Sequence, residues 1–326
     1  SNPYLYDMKV SLTKDGKVVD DVKSYTAFRK ISSKRDANGI MRMQLNNKNL
    51  FQYGPLDQGW WPDGLYTAPT DEALLYDIVK TKDWGFNMIR KHVKVEPARW
   101  YYHCDKEGIL VWQDMPSGDM GNQWAPHTYN GGTDKERSSA SIANYYQEWK
   151  EIMDLCVSHP SVVVWVPFNE AWGQFDTEKV AEWTKNYDPS RLVNPASGGN
   201  HRACGDILDL HNYPGPSMFL FDPQRVTVLG EYGGIGLPLE NHLWWKKRNW
   251  GYVQFKNSDE VTAEYVKYAN ELKELVDRGF SAAVYTQTTD VEGEVNGLMT
   301  YDRKEIKINE AAVKKANQAV INQLSK

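Results

Sequence analysis

Two glutamates stand at the ends of apolar runs: Glu170 within VVVWVPFNEAWG and Glu231 within VTVLGEYGG. Each run reads as a buried strand, and a carboxylate at such a place is costly unless it has partners or a task. Cleavage of a glycosidic bond needs two carboxyl groups on opposite sides of an anomeric carbon, one protonated and the other ionised. A buried ion pair or a helix cap would explain either glutamate alone. The pair, recurring at the same kind of strand end, points to catalysis.

The elements that must position this pair follow a repeating strand, loop, helix order from about Met41 onward. Thr70 precedes an acidic first turn (Asp71, Glu72) and a stripe of Leu74, Leu75, Ile78 and Val79, which predicts a capped helix. A second helix lies between Pro97 and Gly108. A third spans roughly Glu136 to Ser158, with Ile142, Tyr145, Trp149, Ile152, Met153 and Cys156 at helical spacing. Further helices start at Asp176 and near Glu260, the latter ending at Gly279. SVVVWVPF is continuously apolar, as for a parallel strand buried on both faces. Strand-like runs fall near Phe51, Met88, Val111, Val164, Val193, Asp209, Val228 and Val284, the fifth read as RLVNPAS. That pattern predicts an α/β fold, a closed (β/α)8 TIM barrel, and the 326 residues accommodate the roughly 250 that such a barrel needs. No helix is predicted in PGPSMFLFDPQ, between the sixth and seventh strands.

Residues at the C-terminal ends of barrel strands face the active site. Here they are Arg90 and His92, Asp114, Asn169 and Glu170, His211, Asn212 and Tyr213, Glu231, and Gln287. Glu170 and Glu231 follow the fourth and seventh strands, which lie across the barrel mouth from each other. His92, Asp114, Asn169 and His211 are the candidates for gripping sugar hydroxyls. The chain holds 13 Trp and 19 Tyr, and Trp suits stacking on the C–H face of a sugar ring. Trp60, Trp61, Trp124, Trp172, Trp244 and Trp245 sit on loops leaving the catalytic face, so at least two should line the cleft. Trp172, two residues past Glu170, is the best candidate for the leaving-group side.

Residues 4 to about 31 differ: LYDMKVSL, a DG turn, KVVDDV and YTAFRKI give two or three strands without a helix. The expected division is residues 1–40 as the end of a β-sandwich and 41–326 as the barrel. Net charge is −5 and no basic run dominates, so neither nucleic acid nor an anionic membrane is an expected partner. No apolar stretch is long enough to span a bilayer, and SNPYLYDMKV lacks a signal-peptide pattern. Three cysteines make no disulfide framework; Cys104 and Cys156 fall on apolar helix faces and Cys204 in a loop. No CxxC, HExxH, GxGxxG or GxxxxGK[ST] appears, so no cofactor and no metal is expected.

GFNMIRKHVKVEPARWYYHCDKEGILVWQDMPSGD, Asn169-Glu170 after strand four and Glu231 after strand seven resemble glycoside hydrolase family 2, the β-galactosidases, β-mannosidases and β-glucuronidases. The resemblance covers nearly the whole chain and implies a retaining exo-β-glycosidase, with Glu170 as acid/base and Glu231 as nucleophile. Asn169 matches the asparagine that binds the sugar 2-hydroxyl, and Arg90 and Tyr213 match the pair that orients the nucleophile. Residues 1–40 resemble the end of the family's immunoglobulin-like domain, which implies further N-terminal domains and a periplasmic or secreted setting. Some positions depart from the pattern: Val93 stands where a histidine is usual after Arg90, and Gly234 replaces the galactosidase histidine. Tyr285 matches the strand-eight tryptophan position, Tyr232 replaces the mannosidase phenylalanine, and no uronate-reading N-x-K is present. A β-galactoside or another glycoside or oligosaccharide is the expected substrate, with β-mannoside or β-glucuronide specificity as alternatives. Two other classes stay open: a catalytically inactive carbohydrate-binding protein on this scaffold, and a metal-dependent barrel hydrolase using His92 and His211.

Overall fold

The computed structural model describes residues 3–325; Ser1 and Asn2, which open the SNPYLYDMKV start, and Lys326 lie outside the described residues. Strands β1 (Tyr6–Lys14) and β2 (Lys17–Thr26) pair antiparallel across the Asp15-Gly16 turn as a two-stranded sheet. Strand β3 (Ile31–Arg35) is not a third member of that hairpin. It pairs with β4 (Met41–Leu45), which pairs with β5 (Lys48–Asn49). This small sheet plugs the foot of the barrel, where Ile31 and Met43 join Leu56, Met88 and Trp112 in one buried cluster.

The barrel strands are β6 (Gln52–Asp57), β7 (Met88–Lys91), β8 (Leu110–Asp114), β9 (Val162–Val166), β10 (Leu192–Val193), β11 (Ile207–Asn212) and β12 (Val226–Gly233). Two short strands, β13 (Ile235–Gly236) and β14 (Val253–Gln254), precede the eighth barrel strand, β15 (Phe280–Thr286). The eight pair in parallel in the order β10-β9-β8-β7-β6-β15-β12-β11. Between the two ends, the Asp206 N–H donates to the Val193 carbonyl (2.8 Å) and the Gly198 N–H to the Asp209 carbonyl (3.1 Å), so the barrel is nearly closed. Strand β10 is only two residues long, shorter than the RLVNPAS run, because Pro195 has no N–H to continue the ladder.

Helices α1 (Asp71–Asp83), α2 (Ala98–Glu107), α3 (Ser139–Cys156), α4 (Thr177–Tyr187), α5 (Ser258–Arg278) and α6 (Glu310–Ile321) cover the outside. The expected caps are in place: the Thr70 hydroxyl accepts from the Ala73 N–H, and Gly108 and Gly279 end α2 and α5. Among the described residues no helix lies between β10 and β12. There Met218, Phe219 and Leu220 pack on the core instead, giving the apolar cover a helix would supply. Leu56, Met88, Trp112, Val164, Val228 and Val284 fill the interior, each worth about 1.5–3 kcal/mol when fully buried. Cys104 and Cys156 are buried and Cys204 half-buried, all free. No helix among the described residues is long and apolar enough to cross a membrane.

Candidate active site

The apolar interior gives way to a polar layer at the C-terminal strand ends. Along β7 the side chains alternate, so Met88 and Arg90 point inward while Ile89 points to the helices. Arg90 is fully enclosed and spends its donors on three strands. Nε and Nη2 reach Asp114 (3.1 and 2.9 Å), Nη2 also reaches Asn169 Oδ1 (2.7 Å), and Nη1 reaches Glu231 Oε1 (3.1 Å). Asp114, expected at the sugar hydroxyls, is itself fully enclosed. Its oxygens serve Arg90 and the Val93 N–H, so it braces the guanidinium.

Glu231 reaches the interior because β12 breaks its own alternation. Val228 points inward and Leu229 outward, which would turn position 231 toward the helices. The register with β11 runs Leu210↔Leu229 and then His211↔Glu231, leaving Gly230 unpaired as a bulge. The bulge restores Glu231 to the interior and sends Tyr232 outward. Only glycine fits there, since a Cβ on Gly230 would sit 2.1 Å from both Asp209 carboxylate oxygens. Asp209 in turn accepts from the Gly230 N–H, Ser197 Oγ and Asn194 Nδ2, at 2.5, 2.5 and 2.7 Å.

Tyr213 donates its hydroxyl to Glu231 Oε2 (2.8 Å), so the carboxylate is held at both oxygens. Burial alone would raise its pKa, but His211, Arg90 and His92 and the Tyr213 hydroxyl together hold it below the ordinary glutamate value. His211 lies between the two glutamates, with Nδ1 3.3 Å from Glu170 Oε1 and 3.4 Å from Glu231 Oε2. Its other nitrogen is 2.8 Å from Ser197 Oγ, whose proton is committed to Asp209. Ser197 can therefore accept from Nε2, and Nδ1 faces the side chains of Glu170 and Glu231. Burial opposes a positive charge on the ring, while Glu231, Glu170 and Asp209 outweigh it and raise the His211 pKa. Gly198 makes room for the ring: a Cβ there would lie 2.1 Å from it.

Glu170 follows β9 with a left-handed backbone (φ 51°), a conformation that costs a non-glycine residue about 1–3 kcal/mol and clusters at functional sites. Its N–H donates to the Ser197 carbonyl (2.7 Å), which fixes the turn. A carboxylate oxygen of Glu170, one of Glu231 and a nitrogen of His211 all lie within 4.8 Å of one another. Such a trio has the composition of a metal site. Here, though, Arg90 already supplies a cation 3.1 Å from Glu231.

Loops from distant parts of the chain complete the walls. Trp172 is half-buried with its ring edge against His92 (6.0 Å between centroids), and Trp124 Nε1 donates to the Gly198 carbonyl (3.0 Å). Trp60 packs on Tyr66 and Trp244. Trp61, expected among the wall candidates, is buried beneath the Arg303 guanidinium, 3.8 Å from its ring centre. Tyr285 also lies elsewhere than its matched position suggested: it points outward and packs against Tyr232 and Tyr265. Gln287, just past the end of β15, is buried and bonded to Gln58 and Asn296 (both 2.8 Å).

Four residues not predicted from the sequence join the site. Tyr252 stacks face to face on Tyr213 (3.6 Å, 5°). Glu294, half-buried in the loop after β15, accepts from Asn296 Nδ2 (3.0 Å) and Gln58 Nε2 (3.3 Å). Gln58 directly follows a strand and could have been read from that position. Tyr252, Glu294 and Asn296 sit in aperiodic loops that carry no local signal.

Comparison with known proteins bears on this arrangement. Residues 44–213 match the model of the glycosyl hydrolases family 2 TIM barrel domain. The β-galactosidase of Vibrio vulnificus is 28% identical over 207 residues, covering 63% of this chain and 19% of that protein. The β-galactosidase of Halalkalibacterium halodurans is 29% identical over 332 residues, covering 93% and 30% respectively. The chain thus spans a fifth to under a third of the length of these relatives. The solved structure of a β-D-glucuronidase from Dictyoglomus thermophilum superposes with a TM-score of 0.71 at 14% identity, covering 99% of this chain and 58% of that one.

Proposed function

Since the chain belongs to glycosyl hydrolase family 2, we propose that it cleaves β-linked glycosides with retention of configuration. The observation that carries this reading is the pair of carboxylates whose oxygens approach within 4.8 Å, with His211 between them. That spacing is near the separation of about 5–5.5 Å that suits double displacement and falls short of the roughly 6.5–9.5 Å that inversion needs. Glu231, kept ionised and held at both oxygens, attacks the anomeric carbon. Glu170, less enclosed, gives its proton to the leaving oxygen and later takes one from the water that releases the sugar. Asn169, fixed by Arg90, meets the 2-hydroxyl; His92 and His211 meet other hydroxyls; Trp172 stacks under the leaving group.

The galactosidase relatives support a β-galactoside as substrate. Solved neighbours named as glucuronidases favour the alternative of a β-glucuronide, at identities that establish only the fold. The exposed apolar side chains of the hairpin, among them Leu12, Val18, Val19 and Val22, support its reading as part of an immunoglobulin-like sandwich at residues 1–40, completed by further N-terminal domains. A periplasmic or secreted setting rests on the family resemblance alone.

The test is release of a chromogenic phenol from a panel of aryl β-D-glycosides, with the anomer of the first product read by NMR. The expected result is turnover insensitive to chelator, giving the β-anomer first and abolished in Glu231→Gln. Release of the α-anomer would reject the nucleophile assignment. Binding without turnover would favour the inactive carbohydrate-binding reading, and chelator-sensitive turnover the metal-dependent one.

A further inference from the structure

Glu294 brings a third carboxylate to a site that already has two. It arrives from the loop after β15, whose residues fold back on the strand end: the Gln287 N–H donates to the Asn296 carbonyl and the Leu298 N–H to the Gln287 carbonyl. The Glu294 backbone pairs with Trp250, whose ring packs edge-on against Tyr252, the residue stacked on Tyr213. Gln58 and Asn296 each donate to one Glu294 oxygen, leaving further lone pairs free on an acceptor-only group. Burial pushes its carboxyl up and the Asn296 amide pulls it down, with smaller opposing contributions from the negative charge of Glu231 and from His92, the net direction being upward. Tyr252 ties this loop to the catalytic pair, since the Tyr213 on which it stacks donates its hydroxyl to Glu231.

A sugar carboxylate entering here would need a cation. Arg90 is taken by Asp114 and Glu231, Lys91 by Asp57 and Glu96, Lys94 by Glu96, and Arg303 by Asp77. His211 already faces Glu170 and Glu231. The basic run Lys246-Lys247-Arg248 is exposed on the rim, where solvent and salt screen it.

We propose that Glu294 sets the specificity of this site: it accepts hydrogen bonds from hydroxyls of a neutral sugar in subsite −1 and rejects a uronic acid, whose carboxylate would meet the negative charges of Glu294 and Glu231. The inference rests on the glycosidase reading above and selects between its two sugar alternatives. At an effective dielectric of about 20, like charges a few ångströms apart repel strongly enough to discriminate by roughly 100-fold.

Two measurements on the chain test it. The first compares kcat/KM for aryl β-D-galactoside with galacturonide, and for glucoside with glucuronide, in wild type and Glu294→Gln. The best neutral substrate should exceed the best uronide by roughly 100-fold. Glu294→Gln should cut that ratio by about 10-fold, mainly through a lower KM for the uronide. The second titrates wild type with a neutral piperidine iminosugar and its carboxylate counterpart, and needs no turnover. The neutral inhibitor should bind more tightly, with the gap narrowing in Glu294→Gln. Equal or better use of a uronide, or tighter binding of the carboxylate inhibitor, overturns the role of Glu294 while leaving the glycosidase reading intact. Failure to bind either inhibitor overturns both.

Discussion

Arg90 and Lys91 are neighbours on β7, and each is the centre of a buried ion network, yet the two networks do opposite things. Alternation sends Arg90 into the barrel and Lys91 outward. There Lys91 bonds Asp57 (2.7 Å) and Glu96 (2.9 Å) and lies over the Trp100 ring. The outer network is closed: Asp57 and Glu96 each have a side-chain exposure of 2%. The inner one is left open on one side. Arg90 reaches both oxygens of Asp114 and one of Glu231, while the Glu170 side chain keeps 18% exposure. The same residue types therefore give a structural cross-link where every charge is enclosed, and a reactive site where carboxylates outnumber cations at an accessible edge.

The largest expected effect separates the two networks. Glu231→Gln should lower kcat by about 10⁴-fold or more, as loss of a nucleophile does, while circular dichroism and the thermal midpoint change little. Lys91→Met should do the reverse. Leaving Asp57 without its lysine and Glu96 with Lys94 alone should cost about 3–5 kcal/mol in a denaturant titration, with kcat per folded molecule within about two-fold of wild type. A large kcat loss in Lys91→Met without loss of stability would erase the distinction.

A smaller effect sharpens it within the inner network. Tyr213→Phe removes one charge-assisted hydrogen bond to Glu231, worth about 1.5–3 kcal/mol, and should lower kcat roughly 10- to 100-fold. The pH response has a definite sign. The Glu231 carboxyl is held below its ordinary value of 4.5, so its contribution to stability is present above that value and fades as pH falls through the folded one. Without Tyr213 the folded value rises, so the acid limb of the kcat/KM profile should move to higher pH. An unmoved limb would show that the hydroxyl does not act on the nucleophile. The smallest effect belongs to Trp172→Ala, which should cost about 0.5–1.5 kcal/mol in cleavage of an oligosaccharide. It should cost less with an activated aryl glycoside, whose departure needs little help; equal losses would remove Trp172 from the leaving-group side.

The sequence by itself determined the repeating strand and helix pattern and the polar residues at each strand end. Periodicity and caps are local, and a strand that ends in a polar residue announces where the barrel mouth lies. Arg90, Asn169, Glu170, His211, Tyr213 and Glu231 were all legible in that way, and the structure brings them within contact of one another. Tertiary structure alone decided which way they face. Strict alternation on β12 would have turned Glu231 outward, and it is the bulge at Gly230, where the Asp209 carboxylate on the neighbouring strand leaves no room for a Cβ, that reverses it. Asp114 braces Arg90, Tyr285 packs against Tyr265, and Trp61 lies beneath the Arg303 guanidinium, contacts that no local pattern announces. Tyr252 and Glu294 entered because barrel closure folds the loops after β12 and β15 against the end of β6. No pattern within either loop encodes a contact between segments more than two hundred residues apart, such as Gln58 and Glu294.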